Sequence, residues 1–490
     1  MAAKSAVVEM RTLLRMHVVL AMAIAVAFAL TLSMAAHAAT IVVNSLADPG
    51  AAGICTLRDA ITAANKMTKT NSCVAGTGND TIRFSVTGTI FLASTLPQIT
   101  DNRLTIKGPP SPGITIDGGN KVQVMLVASC AALDLRDLMI SHGFSNPKGG
   151  GIINEGTLVV INSTFSSNQS TGPVEGAGEG GGIYNNGTLT VTKSIFSNNL
   201  GPAAGGGIAN DRILRVTNST FSGNGSLDGA GIYNSGTLSA TNSTFSDNIA
   251  TASVFLRGGG IYNDGVLIVT NSTFAGNGVV SSNGSQTGGG GIYNDEALIV
   301  TNSTFAGNVS ASGQGGAIFN TDFASLNNTI VAADMTSAEG SSGNCSGTII
   351  DAGYNISDDN TCEFSATSSH SNTNPLLDPA GLRDNGGPTE TIALDSESPA
   401  IDAIPFANCT DQFVNRIPTD QRGALRFDAG ELQCDIGAYE FQDFAGQPLC
   451  GIKNISALIR RFGSLEVAAS ALGFPGVKAL LKAIQISCGG

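Results

Sequence analysis

Tryptophan is missing from this chain altogether, and charge is scarce. Its 490 residues include no Trp, only 6% aromatics and only 13% Asp, Glu, Lys and Arg. Without indoles the chain lacks the widest stacking platform available to a sugar-binding surface. Basic residues are fewer than acidic ones, 25 against 38, and the formal net charge is −13. An acidic chain with no basic run excludes nucleic acid and anionic membrane surfaces as expected partners. Beyond residue 34 no stretch approaches the roughly 18 consecutive apolar residues needed to span a bilayer, so the mature chain is expected to have no transmembrane span. Past residue 38 only two histidines remain, His142 and His370, and neither adjoins a nucleophile motif.

The first 38 residues read as a secretory signal peptide. Lys4, Arg11 and Arg15 precede an apolar core from Val18 to Met34, and Ala36-His37-Ala38 is a small-residue cleavage site. The protein is therefore expected to be exported, either secreted or held at the cell surface. All nine cysteines lie beyond this leader, and eight form sequence-adjacent candidate disulfides: Cys55/Cys73, Cys345/Cys362, Cys409/Cys434 and Cys450/Cys488. An oxidising compartment permits such bridges, although spacing alone does not fix the connectivity. Cys130, inside the apolar run Val124 to Leu133, is expected to be a buried free thiol.

What the chain has in excess is glycine, 62 residues, and the glycines are phased. A unit such as Gly258-Gly259-Gly260-Ile261-Tyr262-Asn263, continuing to Phe274 and Asn277, recurs seven times between Gly149 and Asp334. Its Ile falls at 152, 183, 208, 232, 261, 292 and 318. From each Ile, Asn lies two residues on. Phe lies thirteen on, with Val331 in the last copy, and Asn lies sixteen on, with Asp334 in the last copy. Insertions fall only between units, the signature of a stacked repeat. Within a unit, Leu and Val at offsets six and eight alternate with Thr, Ser, Val, Ile or Arg at seven and nine, which is a strand with one face inward. The Phe breaks that parity, so a bend must precede it. The expected fold is all-β, a right-handed parallel β-helix with an N-terminal capping helix and a small C-terminal helical tail. The Asn columns are expected at corners, tolerating left-handed φ and bonding to the copies above and below.

The expected organisation is a signal peptide at 1–38, a cap with irregular first rungs at 39–148 and seven repeats at 149–334. C-terminal rungs at 335–443 and a helical tail at 444–490 follow. In the cap, Thr56 precedes a short amphipathic helix with Asp59 at its third position and Leu57, Ile61 and Ala64 on one face. Gly76 to Ile82 resembles a single calcium-binding nonapeptide, and a plain turn into a strand is the preferred reading, with no metal or cofactor expected. In the tail, Ile455, Leu458, Ile459 and Phe462, then Val477, Leu480, Leu481 and Ile484, recur at helical spacing.

Three stretches resemble known families. Cys55 to Asn65 resembles the CSLREA-type segment at the start of exported bacterial repeat proteins, with Thr56 for Ser and Asp59 for Glu. The Gly-Gly-(Gly/Ala)-Ile and Phe-x-x-Asn signals resemble those of chlamydial-type polymorphic outer membrane proteins, which implies a right-handed β-helix with a role in adhesion. Those proteins end in a membrane barrel. Nothing after residue 334 shows the alternating ten-residue strands of one, so an autotransporter is not expected. From Asn374 to Phe441 the chain resembles the choice-of-anchor Q domain of bacterial surface proteins. The resemblance rests on Asn374-Pro375-Leu376-Leu377, Asp384-Asn385-Gly386-Gly387-Pro388-Thr389, Ser398-Pro399-Ala400-Ile401-Asp402, Asp420-Gln421-Arg422-Gly423 and Cys434-Asp435-Ile436-Gly437-Ala438-Tyr439-Glu440. It implies attachment at the cell surface.

These features favour an exported, non-catalytic surface protein, adhesin-like or a structural scaffold, whose partner is a glycan or a protein at a cell surface. The candidate exposed contact stripe is Tyr184, Tyr233, Tyr262 and Tyr293, one residue after each anchoring Ile. A polysaccharide lyase or glycoside hydrolase is the alternative, since a solenoid can place carboxylates of adjacent circuits within the 5 to 10 Å that glycoside hydrolysis needs. Asp264 and Asp295 share offset three, whereas Arg212, Arg215 and Arg257 are expected to stand apart with no acid cluster beside them. An ice- or glycan-binding protein is the outside alternative, from the Thr column at offset nine (Thr192, Thr217, Thr241, Thr270, Thr301), although Arg215 interrupts the column beside it. The ligand and the oligomeric state stay open.

Overall fold

The computed structural model describes residues 38–442, apart from 111–112, 173–178, 253–255, 282–287, 311–313, 333, 337–342, 412 and 427–432, and then residues 464–471 and 475–486. The signal peptide, the Cys450/Cys488 pair and the first apolar stripe of the tail lie outside the described residues.

The fold is a parallel β-helix. Each repeat supplies short strands to four parallel sheets, of 12, 11, 9 and 8 strands. In the first repeat these are Ile152–Asn154, Thr157–Ile161, Thr164–Ser166 and Gln169–Ser170. Register between circuits never slips at the anchoring positions: Ile232 faces Ile261, Leu238 faces Leu267, and Phe245 faces Phe274. The Ile, Leu, Val and Phe columns, with Ala240 in the fourth copy and Ala324, Leu326 and Val331 in the seventh, fill one continuous core and are essentially solvent-free. The Phe column is a stack whose ring centroids lie 4.7 to 5.1 Å apart, within 10° of parallel. One column therefore joins six circuits through the rise of the solenoid itself.

Corners follow from backbone chemistry. The glycine three residues before each Ile is left-handed (Gly258, φ +65°), and a Cβ there would sit 2.2 Å from the Ile261 carbonyl oxygen. Gly259 and Gly260 pass so close to the next circuit that a Cβ would meet its carbonyls at 2.5 to 2.6 Å. The two Asn columns form buried amide ladders. At offset two, each Nδ2 donates to the next Oδ1 from Asn154 to Asn320 at 2.6 to 2.7 Å. At offset sixteen the ladder runs from Asn168 to Asn308 at 2.8 to 3.0 Å and ends on Asp334. Left-handed φ falls elsewhere than expected: at offset ten (Asn162, Lys193, Asn218, Asn242, Asn271, Asn302, Asn328) and offset fifteen (Ser167, Asn198, Gly223, Asp247, Gly276, Gly307). At offset sixteen the ladder amide points inward, and the corner is turned by its left-handed neighbour at offset fifteen. A third ladder, of serines one residue after the offset-ten corner, joins each backbone N–H to the next hydroxyl at 3.1 to 3.2 Å.

Helix α1 (Leu57–Lys66) lies over the first circuit. Thr56 caps it, and Leu57, Ala60, Ile61, Ala63 and Ala64 join the solenoid core. The bridge Cys55–Cys73 fixes this lid, and Cys345–Cys362 and Cys409–Cys434 are also bonded. Cys130 is exposed, contrary to expectation. The apolar run around it is interrupted by a turn between the strands Met125–Val127 and Ala132–Arg136, and the thiol sits in that turn.

The segment expected to continue the rungs to residue 443 does otherwise. Among the described residues Ile356–Ser357 is the last strand to join the four sheets. Leu377–Arg383 pairs antiparallel with Thr391–Leu394, and Ile404–Pro405 with Gln433–Cys434. This segment folds back along the flank as a strap over the 11-stranded sheet. Thr389 Oγ1 donates to the Asn242 carbonyl, Asn271 Nδ2 to the Thr419 carbonyl, and the Gly437 amide to the Asn328 carbonyl. A second core forms beneath it from Ile330, Ala332, Ile356, Leu394, Ala400, Ile404 and Ile436. The tail contributes α2 (Leu465–Ala471) and α3 (Val477–Ile486), with Leu480 buried.

Candidate functional site

The tyrosine column stands on the nine-stranded sheet, one residue past each inward Ile. Register alternation aims these rings outward, and equal phase stacks them: Tyr233 to Tyr262 at 5.2 Å, Tyr262 to Tyr293 at 5.5 Å, Tyr293 to Phe319 at 4.7 Å. Tyr184 is separated from them by Ala209, which takes the position between Tyr184 and Tyr233 in register. The column is not an exposed stripe. Tyr262 is only 3% exposed and the other three tyrosines are half-buried.

Charged residues cover it. Arg257 lies over the Tyr262 ring at 4.3 Å, donates to its hydroxyl at 2.9 Å, and pairs with Asp228 at 2.6 Å. Asp295 accepts from the Tyr262 hydroxyl at 2.8 Å and lies 3.8 Å from Arg257. Lys148 repeats the arrangement one stack away, 4.1 Å over Tyr184 and 2.7 Å from Glu179. The Tyr184 hydroxyl donates to Asp211, which also accepts from Ser235. Arg257 is therefore ringed by acids, where the sequence placed it alone. Asp228 and Arg257 both stand four residues before an anchoring Ile, and counting backward from the Ile column would have brought them together. Lys148 and Glu179 occupy that same phase and were missed for the same reason, because the variable inserts begin there.

The titration of this face follows from burial among acids. Burial, with Asp264 and Asp211 nearby, pushes the Tyr233 hydroxyl up to about 12. Burial likewise raises Tyr184, Tyr262 and Tyr293. Asp228 is raised by burial against the opposing pull of Arg257. The phenols stay protonated at neutral pH, and those of Tyr184 and Tyr262 donate to Asp211 and Asp295.

The other candidates are scattered. Asp264 is exposed, while Asp295 is held by Tyr262 and by Thr321 at 2.7 Å. His142 bonds Asp117 at 2.8 Å, and His370 bridges the last circuit, eight strands farther along the same sheet. In the Thr column, Thr301 is buried and the others are half-buried, with Arg215 exposed between Thr190 and Ser239 on the adjoining row. Asp80 of the nonapeptide-like stretch is buried, and its carboxylate accepts the amides of Thr77, Gly78 and Ala39, so it shapes the turn into Thr81–Phe84. Among the described residues no group of three or more His, Cys, Asp or Glu is placed to hold a metal ion, and no helix is long and apolar enough to cross a membrane.

Residues 162–186 match the Chlamydia polymorphic membrane protein (Chlamydia_PMP) repeat. That stretch runs from the Asn162-Ser163-Thr164-Phe165 corner through Gly181-Gly182-Ile183-Tyr184-Asn185, so it spans one turn from the Phe column to the next Ile column. No curated protein and no solved structure matches the chain.

Proposed function

We propose that this chain is an exported, non-catalytic β-helix protein of the cell surface, adhesin-like or a structural scaffold. The observation that carries the reading is the repeat match at 162–186, to a family of surface membrane proteins, on a chain whose seven copies keep the same phase. Three disulfides agree with an oxidising compartment. The leader at 1–38, the CSLREA-like cap and the choice-of-anchor Q-like segment belong to the same proposal, as does the division at 39–148, 149–334, 335–443 and 444–490. Cys450 and Cys488 would staple the tail. The face around Tyr184, Tyr233, Tyr262 and Tyr293, which presents the charged side chains that cover the rings rather than the rings themselves, is the surface we assign to a glycan or protein partner. An enzymatic reading finds less support, because Asp295, the carboxyl that shares its phase with Asp264, is already held by Tyr262 and Thr321.

Cell fractionation of the protein with and without residues 450–490, followed by glycan and protein arrays, tests this. The expected outcome is an exported protein with a captured partner and no activity on acidic polysaccharides. Cleavage that Asp264→Asn abolishes would replace the binding reading with the enzymatic one.

A further inference from the structure

One cavity departs from the charge of the whole molecule. It has a volume of about 450 Å³ and lies where the strap crosses the corner column, with α3 as its outer wall. That size falls within the roughly 300–1,000 Å³ of small-molecule sites. In a chain of net charge −13, not one lining residue is Asp or Glu, and three are cationic: Lys193, Arg422 and Lys482. Arg422 is already engaged, donating to Asp420 at 2.8 Å and to the Glu440 carbonyl at 2.6 Å, with its guanidinium 3.6 Å over the Tyr439 ring. The two lysines are exposed, and the lysines that form ion pairs among the described residues are others, Lys107 and Lys148.

The floor of the cavity is the left-handed corner column itself. Lys193, Asn218 and Asn242 occupy offset ten in three successive circuits, and left-handed φ turns their side chains outward. Circuits stack at about 4.8 Å, so the three groups line a track roughly 10 Å long.

From the two free ammonium groups and the amide-lined floor of Asn218 and Asn242, we infer that the cavity binds an acidic sugar. Its carboxylate would lie between Lys193 and Lys482, and its hydroxyls would meet the Asn218 amide. The inference rests on the reading of the chain as a binding protein and gives that reading a ligand class. It also assigns a task to α3, which would close over the ligand and hold it against the strap.

The test uses the full mature chain, titrated calorimetrically with glucuronate and galacturonate, with glucose, galactose and inorganic sulfate as controls. Saturable uronate binding is expected, absent for the neutral sugars and weaker at higher ionic strength. Lys193→Ala and Lys482→Ala should each weaken it at least tenfold, and Lys193→Glu should abolish it. Both lysines are exposed, so unchanged melting temperatures are expected for the variants. No uronate binding, or binding that neither lysine variant weakens, overturns the site. Sulfate binding as tight as uronate binding overturns the sugar assignment in favour of a simple anion site. A site that fails while the partner captured on arrays persists leaves the surface-protein reading intact. Cleavage of an oligouronide would sink that reading and spare the site.

Discussion

The repeats at 149–334 and the strap at 374–441 bury polar groups by opposite means. In the repeats each amide is satisfied by its own copy one circuit away, so a single solution is reused along a column. Every member is neutral until the ladder reaches Asp334. In the strap each group is used once. Arg426, fully buried, donates to Glu440, to Asn271 and to the carbonyls of Asp435 and Gly437. Arg422 and Asp420 form a second buried pair at 2.7 Å. A column spreads its cost over many equal bonds, whereas a charge cluster concentrates it. Removing one partner of a buried ion pair leaves the other uncompensated. Damage should therefore be tolerated locally in the repeats only where a column can close up, and should be all-or-none in the strap.

The sharpest way to break that comparison is at the middle of the Phe stack. Phe245 lies 5.1 Å from Phe221 and 4.7 Å from Phe274, with no exposure. Phe245→Ala should cost about 3–5 kcal/mol for the lost burial and cavity, with about 0.5–1.5 kcal/mol more for each lost ring pair. Urea unfolding followed by circular dichroism measures it. A loss below about 1 kcal/mol would mean the ring is not a core column.

Next in size is Arg426→Met, which keeps the volume and removes the charge. Two carboxyls, Asp435 and Glu440, would lose their one guanidinium, and Asn271 Oδ1 its donor. About 3 kcal/mol is expected, confined to the strap. Limited proteolysis should cut between residues 374 and 441 in the variant while the repeats survive. Simultaneous loss of both regions would show that the strap holds the solenoid together rather than covering it.

The two regions also differ in how far the sequence exposes them. The repeats are legible because identical residues at fixed spacing can only mean equivalent positions, and parity then tells inside from outside. Ile261, Leu267, Val269 and Phe274 follow from that alone. What the spacing hides is which neighbour turns the corner, because both residues at a bend recur equally: Asn218 and Ser219 are equally periodic, yet one is left-handed and the other forms the ladder. The tyrosine face was half legible. Its column is periodic, but Arg257 and Asp228 lie where inserts begin, and only counting backward from Ile finds them. The strap has no period at all. Arg422 and Arg426 reach Glu440 across irregular chain, and Arg426 also meets Asn271, 155 residues earlier, and no repeated spacing encodes that.

Protonation separates the regions a third way. Burial pushes Asp435 up to about 7, against opposing bonds from the Asp402 and Phe441 amides, and holds Glu440 well above its ordinary range with Asp435 beside it. One guanidinium serves two carboxyls, so the pair retains a proton that the unfolded chain releases near pH 4. The folded strap thus binds more protons than the unfolded one between about pH 4 and pH 7, and its stability falls as pH rises through that window. Hydrogen exchange of the strap should be measurably faster at pH 8 than at pH 5 after correction for intrinsic rates. Amides in the middle of the Asn ladders, around Asn224 and Asn248, should show no such change. Equal loss of protection in both regions would remove the distinction.

The smallest effect should appear where the two chemistries meet. Asp334 closes the offset-sixteen ladder, accepting from the Asn308 amide at 2.5 Å and from its Nδ2 at 2.8 Å. Its other oxygen is buried without a partner, and burial raises its carboxyl well above the usual range. Every earlier ladder Asn from Asn199 onward sends its Nδ2 back to the carbonyl of the Phe one circuit earlier, as Asn308 does to Phe274 at 3.0 Å. An Asn at 334 would keep the acceptor that Asn308 uses and supply a donor where Asp334 has a bare oxygen, with the Phe305 carbonyl in the equivalent position. Asp334→Asn should therefore stabilise the protein by about 1 kcal/mol at pH 8, read as a higher urea midpoint at unchanged slope. The gain should shrink toward pH 4, because the raised carboxyl disfavours folding only where the unfolded chain ionises it. A destabilised variant would mean that the carboxylate is used as a charge, and that the ladder ends on Asp for a reason other than the repeat running out.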